Sequence, residues 1–505
     1  MSEGKRLSGS RLLWAAMVLS TANFMVVLDT TIANVSIPHI AGSLGVSANQ
    51  ATWTITSYAV ADAITVVLSG WLAQRFGGVR TFTFCLIGFA FFSILCGLSV
   101  TLDMLVAARI GQGLCGGPLI PLSQTLMMRI YPPEKLAQGM SYWTLTTMLG
   151  PVLGPVAGGL ISDGLSWHWI FLINIPFAIA LLIGCRTLLG VAENETAKVR
   201  IDGIGLGLMV LWIGSMQIVL DIGRERDWFA DPTILALGIV ALIGFVVFII
   251  WELTDDHPIV DLRVLRHKSF AIATACFTLG YGSFYAGIVV IPQWMQLSLG
   301  YTATYAGYAT CVTGFASFLM SQFPPRVLKF VDARVVVTCG MVWLGAGTLL
   351  RTNWTSQADF WTLFYPQAVM GLAIPFFFTT LISIGFASMP PREAASAAGL
   401  FAFMRTMGLA FGTSLSLAYW DNQSRVAGAE LAGKVNSVAT QAVLTERGFS
   451  FEQGRTIIAQ LVDKEAITLA TDKIFLLTGL ITIAISGLVW LLPRPRLSGP
   501  PGGGH

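Results

Sequence analysis

Two carboxylates and two guanidinium groups stand inside long apolar stretches of this sequence. Asp29 lies in LDTTIANVSIP (28–38), Asp62 in a run from about 51 to 73, Arg109 at the head of RIGQGLCGGPLIP (109–121), and Arg405 in a run from about 395 to 419. In hydrocarbon an ionisable side chain costs at least ~2.5 kcal/mol and persists only with a partner or with water. A carboxylate held beside a guanidinium there is a candidate proton carrier; the plainer reading is a permanent ion pair that only ties helices together. For Asp29 with Arg109 the titrating role is preferred. For Asp62 with Arg405 a latch and a proton or substrate site stand level.

Other site chemistry finds no motif. The seven cysteines (Cys85, Cys96, Cys115, Cys185, Cys276, Cys311, Cys339) fall in apolar runs without a CxxC pair, so they read as small buried hydrophobes and not as disulfides or zinc ligands. GAELAGKV (428–435) has the glycine and lysine spacing of a phosphate loop, but Val435 replaces the magnesium-binding hydroxyl and no strand precedes it. No HExxH or GxSxG stands in the apolar runs, which leaves an intramembrane enzyme or a signalling receptor unsupported. Neither a cofactor nor a nucleic-acid partner is expected.

The elements that must carry these groups follow from composition. Charged residues make up 11% of the 505 positions, far below the roughly 25% of soluble proteins, while 54% are apolar. That apolar fraction is about what fourteen spanning helices of ~20 residues consume, so no second soluble core, cytosolic catalytic domain or ATP-binding cassette can be built beside them. Runs of spanning length occur at about 12–37, 51–73, 79–101, 104–128, 138–162, 168–190, 203–222, 233–252, 270–295, 304–323, 335–352, 360–388, 395–419 and 474–492. The first follows Lys5, Arg6 and Arg11 like a signal peptide but has span length and no cleavage site, so it stays as a helix. With both termini inside, the inner segments hold nineteen Lys and Arg, against Arg224, Arg226 and Arg351 in the short outer loops. That bias places the termini in the cytoplasm.

Depth then becomes useful. Asp29 sits about 8 residues, or ~12 Å, from the outer end of its span and Arg109 about 5 residues, or ~8 Å, from the outer end of its own, so the two can meet. Asp62 and Arg405 both sit ~15 Å deep. GPVLGPVAGG (150–159) stacks Gly150, Gly154 and Gly158 along one face of the fifth span, with Gly159 beside them and with Pro151 and Pro155 removing backbone donors. Such a face allows close helix crossing. GWLAQRFGGVR (70–80) supplies a tight inner turn through Gly70, Gly77 and Gly78, with Arg75 and Arg80 for helix ends. Aromatic and polar residues placed to line a cavity are Tyr58, Tyr142, Trp143, Tyr281, Tyr285, Gln367 and Phe376, although most membrane aromatics are interfacial or lipid-facing.

Weak internal repetition, Arg75-Phe76 with Arg80 against Lys329-Phe330 with Arg334, suggests two six-helix halves. The division is then 1–200 for the first half, 201–256 for an inserted helix pair, and 257–494 for the second half. Within the latter, 257–268 is an amphipathic connector on the inner surface and 420–473 a folded outer segment. Val435, Val438 and Ala442, then Ile457, Ile458 and Leu461, recur there at helical intervals and predict one or two short helices over the outer mouth. Residues 495–505 read as a disordered tail.

These motifs together are where the chain resembles the major facilitator superfamily, in its fourteen-spanning drug:proton antiporter branch of EmrB/QacA type. LDTTIANVSIP, GPLIPLSQ (117–124), YPP (131–133), WELTDD (251–256) and GYTAT (300–304) stand in the order of the EmrB members of that branch. The resemblance implies an all-α membrane fold of two six-helix halves plus two inserted helices. It also implies export of hydrophobic toxic compounds across a bacterial inner membrane, driven by inward proton flow. The alternative is a dedicated exporter of a lipid, fatty acid or endogenous metabolite. It further implies a periplasmic membrane-fusion adaptor of EmrA type and an outer-membrane duct as partners, an antiporter motif at Gly150 to Gly159, and a gating loop at Gly70 to Arg80. An Asp usual in that loop is Gln74 here, which removes any charge relay assigned to it. The superfamily's fold packs spans two and thirteen together, so that Asp62 and Arg405 could pair across the seam. At the second-half position matching Arg109 stands Gln367, which makes the charged machinery asymmetric.

Overall fold

The computed structural model describes residues 9–493 apart from 133–135, 194–195, 197–199, 224–225, 227, 257, 329, 388, 391–392, 435–439 and 441–443. The tail 495–505, together with Val435, Val438 and Ala442, lies outside the described residues. The long helices are α1 (Gly9–Leu44), α2 (Ala48–Phe76), α3 (Gly78–Gly97), α4 (Leu102–Ile130), α5 (Leu136–Gly164), α6 (Trp169–Ala192), α7 (Gly203–Ile222), α8 (Pro232–Thr254), α9 (Lys268–Leu297), α10 (Ala303–Met320), α11 (Ala333–Asn353), α12 (Phe360–Ala387), α13 (Ala394–Lys434) and α14 (Phe451–Leu491). Among the described residues twelve helices are long and apolar enough to cross a membrane, and α5 and α10 stand in line between them.

Many of the helices start where a side chain can take up free backbone N–H groups, as bilayer or protein interior demands. Ser47 with Gln50 and Ser450 with Gln453 form capping boxes at the starts of α2 and α14. Thr101, Asp202, Asp231 and Thr302 cap α4, α7, α8 and α10. Between α2 and α3 the chain turns at Gly77, whose φ of 98° suits only glycine.

Four apolar cores show how these helices assemble. One is confined to the first half, on the face where α1 begins: Leu12, Ala73, Val79, Ile130 and Leu189 belong to it. A second is confined to the second half, on the face where α14 ends, with Ala333, Ile384 and Val489. At the opposite, far face a third core takes residues from both halves, Ile37, Ile40, Phe171 and Leu105 with Val290, Trp294, Ala303 and Leu363. The halves are thus fused at the far face and carry separate cores at the terminal face. A fourth core sets Met209 and Trp212 of α7 and Phe248 of α8 against Ala63 of α2 and Phe403 and Met407 of α13. The inserted pair therefore covers the α2/α13 seam, where Gln217 also donates to Ser414.

Two expectations change. The connector is a short 3-10 turn, Leu262–Arg266, with Val260 and Val264 in the fourth core. It is fastened by Arg266 and His267 to Glu393, whose carboxyl is held below the usual range by the hydrogen bond from His267 and by the Arg266 charge. The outer segment does not lie over the mouth as separate short helices. Apart from a short helical turn at 444–446, its described parts continue α13, 41 residues and about 61 Å long, and α14, which pair as a hairpin. No proline interrupts either helix, so nothing forces the chain to turn at the membrane surface. Trp420 donates to Thr471 (2.9 Å) and Lys473 to Gln423 (2.7 Å) along its base.

Candidate functional site

Asp29 and Arg109 do meet, inside the first half. Arg109 Nη1 donates to Asp29 Oδ2 at 2.6 Å, and the two side chains are 1% and 0% exposed. Five helices build this cluster. Gln112 Nε2 (2.9 Å) and Asn174 Nδ2 (2.7 Å) both donate to Asp29 Oδ1, Ser93 Oγ accepts from both amides, and Arg109 Nε donates to the Thr54 carbonyl at 2.8 Å. The guanidinium lies 4.2 Å from the Tyr58 ring and 5.4 Å from that of Phe171. Every Asp29 oxygen is taken by a donor, so proton exchange there requires the cluster to open. Gln112 and Asn174 escaped the sequence reading, although Gln112 lies one turn from Arg109 and shares its face.

The second pair differs from expectation. Helices α2 and α13 pack together, yet among the described residues Asp62 and Arg405 form no ion pair within 4.0 Å. Asp62 Oδ2 accepts instead from Thr406 Oγ1 at 3.5 Å, the residue after Arg405. Side-chain direction, set by the turn of α13, decides this and cannot be read from depth alone.

The expected cavity residues separate into groups. Tyr281 and Tyr285 stand 4.7 Å apart, half-buried, and Tyr281 packs edge-on to Phe378 in an aromatic wall shared by α9, α12 and α13. Tyr58 instead faces Arg109 and is 2% exposed, which takes it out of a cavity lining. Trp143 donates to Ser123 (2.9 Å) and packs with Tyr142 on the first half's own core. Phe376 fills the α11/α12 crossing at Gly340. Gln367 is buried and its Oε1 accepts from Thr313 Oγ1 (3.1 Å) and from Arg351. Arg351, expected in an outer loop, is 3% exposed. Its long stem folds back under the end of α11, so the second half does hold a buried guanidinium, supplied by a neighbouring helix.

The glycine face of α5 packs as expected, against two partners. A Cβ at Gly150 would strike Val27, at Gly154 Thr31 and at Gly158 the Ile32 carbonyl (2.6 Å), all on α1. Gly159 turns to α10 of the other half and abuts the backbone of Ala303 and Thr304; Gly307 returns the contact to the Pro155 carbonyl. The side chain of Pro151 lies outside the described residues. At the loop 70–80, Glu193 holds the turn: its carboxylate accepts from Val79 N (3.0 Å) and Arg80 N (3.1 Å) at the start of α3, tucked against Gly77. Gly78 opens that helix, whereas Gly70 meets nothing within 4 Å and Arg75 closes α2.

A latch at the far face was not foreseen. Asp163, at the end of α5, accepts from Thr304 N (2.7 Å) and Ala303 N (3.3 Å) at the start of α10 and meets His39 Nε2 (3.1 Å). Ser36 and Ser162 bond beneath it at 2.8 Å, and Gln296 donates to the Val35 carbonyl at 2.9 Å. A carboxylate at a helix N-terminus contributes about 0.3–1 kcal/mol, so Asp163→Asn is expected to loosen the closed far face severalfold. Maleimide labelling of a cysteine placed at Ser36 should then speed up; an unchanged rate would mean the apolar core alone holds this face.

The comparisons agree with this architecture. The sequence profile described as Major Facilitator Superfamily matches residues 19–413. The chain is 39% identical to the multidrug export protein EmrB of Escherichia coli strain K12, with 100% of each chain covered. It is 37% identical to the fatty acid resistance protein FarB of Neisseria gonorrhoeae, with 99% of each covered. A crystal structure of a POT family transporter superposes with a TM-score of 0.66 at 14% identity over 96% of each chain, a likeness of fold. Two helical halves fused at one face, a fully paired intramembrane acid and full-length identity to these relatives give one conclusion: the chain is a membrane transporter, not an enzyme, and belongs to the EmrB-type branch of the major facilitator superfamily.

Proposed function

We propose that this protein is a proton-coupled exporter of several hydrophobic toxic compounds across a bacterial inner membrane. The observation that carries the reading is its end-to-end identity to a multidrug export protein, in a chain that keeps an acid and a guanidinium paired within the spans. Counting α5 and α10 with the twelve apolar helices gives fourteen spans, and the basic bias of the segments on the terminal face puts both termini in the cytoplasm. The terminal face, where the halves have separate cores, is then the cytoplasmic side, and the fused far face is the closed exit. Asp62, less deeply buried at the seam than Asp29, is the acid that substrate and protons reach first; Asp29 becomes available when the cluster around Arg109 opens. Arg405 is the charge that Asp62 meets as the seam closes.

Purified protein in liposomes with an imposed pH gradient should move several lipophilic acids and cations. No gradient-driven flux would sink the reading. Flux of one compound alone would favour a dedicated exporter, the reading to which the fatty acid resistance relative points. Asp62→Ala and Arg405→Ala should each lower that flux, and the double variant should be less impaired than the sum of the two by about 0.5–3 kcal/mol of coupling. Strict additivity would mean that Asp62 and Arg405 act separately.

The far-face hairpin of α13 and α14 is the surface we assign to a periplasmic adaptor of EmrA type that leads to an outer-membrane duct. Cross-links placed on exposed Leu461 should capture the adaptor. Charge substitutions on the hairpin should cost resistance in cells while sparing flux in liposomes; equal loss in both assays would return the hairpin to the transporter's own fold.

A further inference from the structure

Among the described residues each half buries one guanidinium, and only that of the first half has its anion. Arg109 is paired with Asp29. Arg351 is as deeply buried at 3% exposure, yet among the described residues no carboxylate forms an ion pair with it, and its Nε has no hydrogen-bond partner. Its protein bond goes to the neutral Oε1 of Gln367. A dry guanidinium without an anion is one of the more unfavourable arrangements a membrane protein can hold, and it persists where a ligand completes it.

The surroundings define that ligand. The rings of Trp354 and Phe475 lie 5.6 and 5.7 Å from the guanidinium carbon and present flat apolar walls. Gly287 of α9 leaves room on the remaining side: a Cβ there would lie 3.6 Å from Arg351 Nη1 and otherwise near only Ile291, at 3.8 Å. Because Gln367 Oε1 is already taken by Thr313 and Arg351, the amide nitrogen of the same side chain is a second donor for an incoming anion. Gln367 lies seven residues into α12, about 10 Å below the far face, at a depth where the rest of a ligand meets apolar surface. One planar cation with one amide, between rings, fits a planar monoanion with an apolar body; a phosphate dianion would need more donors.

We infer that Arg351, with Gln367 and the space left by Gly287, is a binding subsite for the carboxylate of lipophilic acids. This rests on the reading of the chain as an exporter of lipophilic compounds and adds a charge preference to it. The subsite belongs to the second half alone, separate from the acid cluster of the first.

Two ligands that differ only in the head group separate this from a structural role. Binding of dodecanoate and of dodecyltrimethylammonium is measured on the full-length protein in nanodiscs of zwitterionic lipid, and their gradient-driven export in liposomes. Arg351→Gln should weaken dodecanoate binding about tenfold or more, the scale of a lost charge-assisted hydrogen bond, and leave the cation within about twofold. Gly287→Val fills the gap but keeps the charge and should act in the same direction, while Arg351→Lys should restore part of the carboxylate binding. Equal weakening of both ligands, an unchanged dodecanoate affinity in both variants, or displacement of dodecanoate by added anionic lipid would each overturn the subsite. If wild-type protein exports neither ligand, the exporter reading itself fails; if it exports the cation but the variants show no carboxylate-selective loss, only the subsite does.

Discussion

Asp29→Asn is expected to abolish transport driven by a pH gradient. Asp29 accepts from Arg109, Gln112 and Asn174 in a cluster with no exposed surface, and the substitution offers an amide N–H2 to a pocket already full of donors. Removing one member of a buried ion pair costs roughly 3–5 kcal/mol. With each 1.36 kcal/mol worth tenfold, that is on the order of 100-fold or more in rate on the step that carries the proton. The informative comparison is between net efflux under a gradient and substrate exchange at equal pH on both sides. A coupling carboxylate lost to Asn should spare exchange while ending gradient-driven efflux. Loss of both would make Asp29 a structural tie, and undiminished efflux would move coupling to Asp62.

Gly159→Val should have the next largest effect, through packing and not charge. The added side chain would begin against the carbonyl of Ala303 and 2.5 Å from the Thr304 Cα, and backbone cannot rotate away as a side chain can. Overpacking of this kind costs about 1–3 kcal/mol or more, and here it falls wholly on the closed far face. The population should therefore shift toward a far-open state, with transport reduced about tenfold. Spin labels at the exposed Leu165 and Leu297, near the far ends of α5 and α9, should report a longer distance. Gly164→Ala, where nothing lies within 4 Å of a new Cβ, is the matched control and should change neither distance nor rate. An unmoved distance in the Gly159 variant would mean that this crossing does not set the closed state.

The all-helical membrane fold and the meeting of Asp29 with Arg109 were legible in the residues themselves. Each depends on a one-dimensional property: apolar length against bilayer thickness, and depth counted at 1.5 Å per residue. The glycine face of α5 was legible for the same reason, since a spacing of four maps onto one side of a helix. What the sequence left open depends on rotation about helix axes and on the reach of long side chains. Asp62 and Arg405 have matching depths, but the turn of α13 presents Thr406 to the acid. Arg351 counts as a loop residue until its stem is seen to fold back to Gln367, and Glu193 stands more than a hundred residues from the loop it completes. Asp163 reads as a span-end acid until the N-terminus of α10 arrives from the other half. Local pattern fixes where a residue sits along its own helix; only the packing of one helix on another decides which residue it faces, and the far-face contact of Asp163 and the second buried cation are made of such meetings.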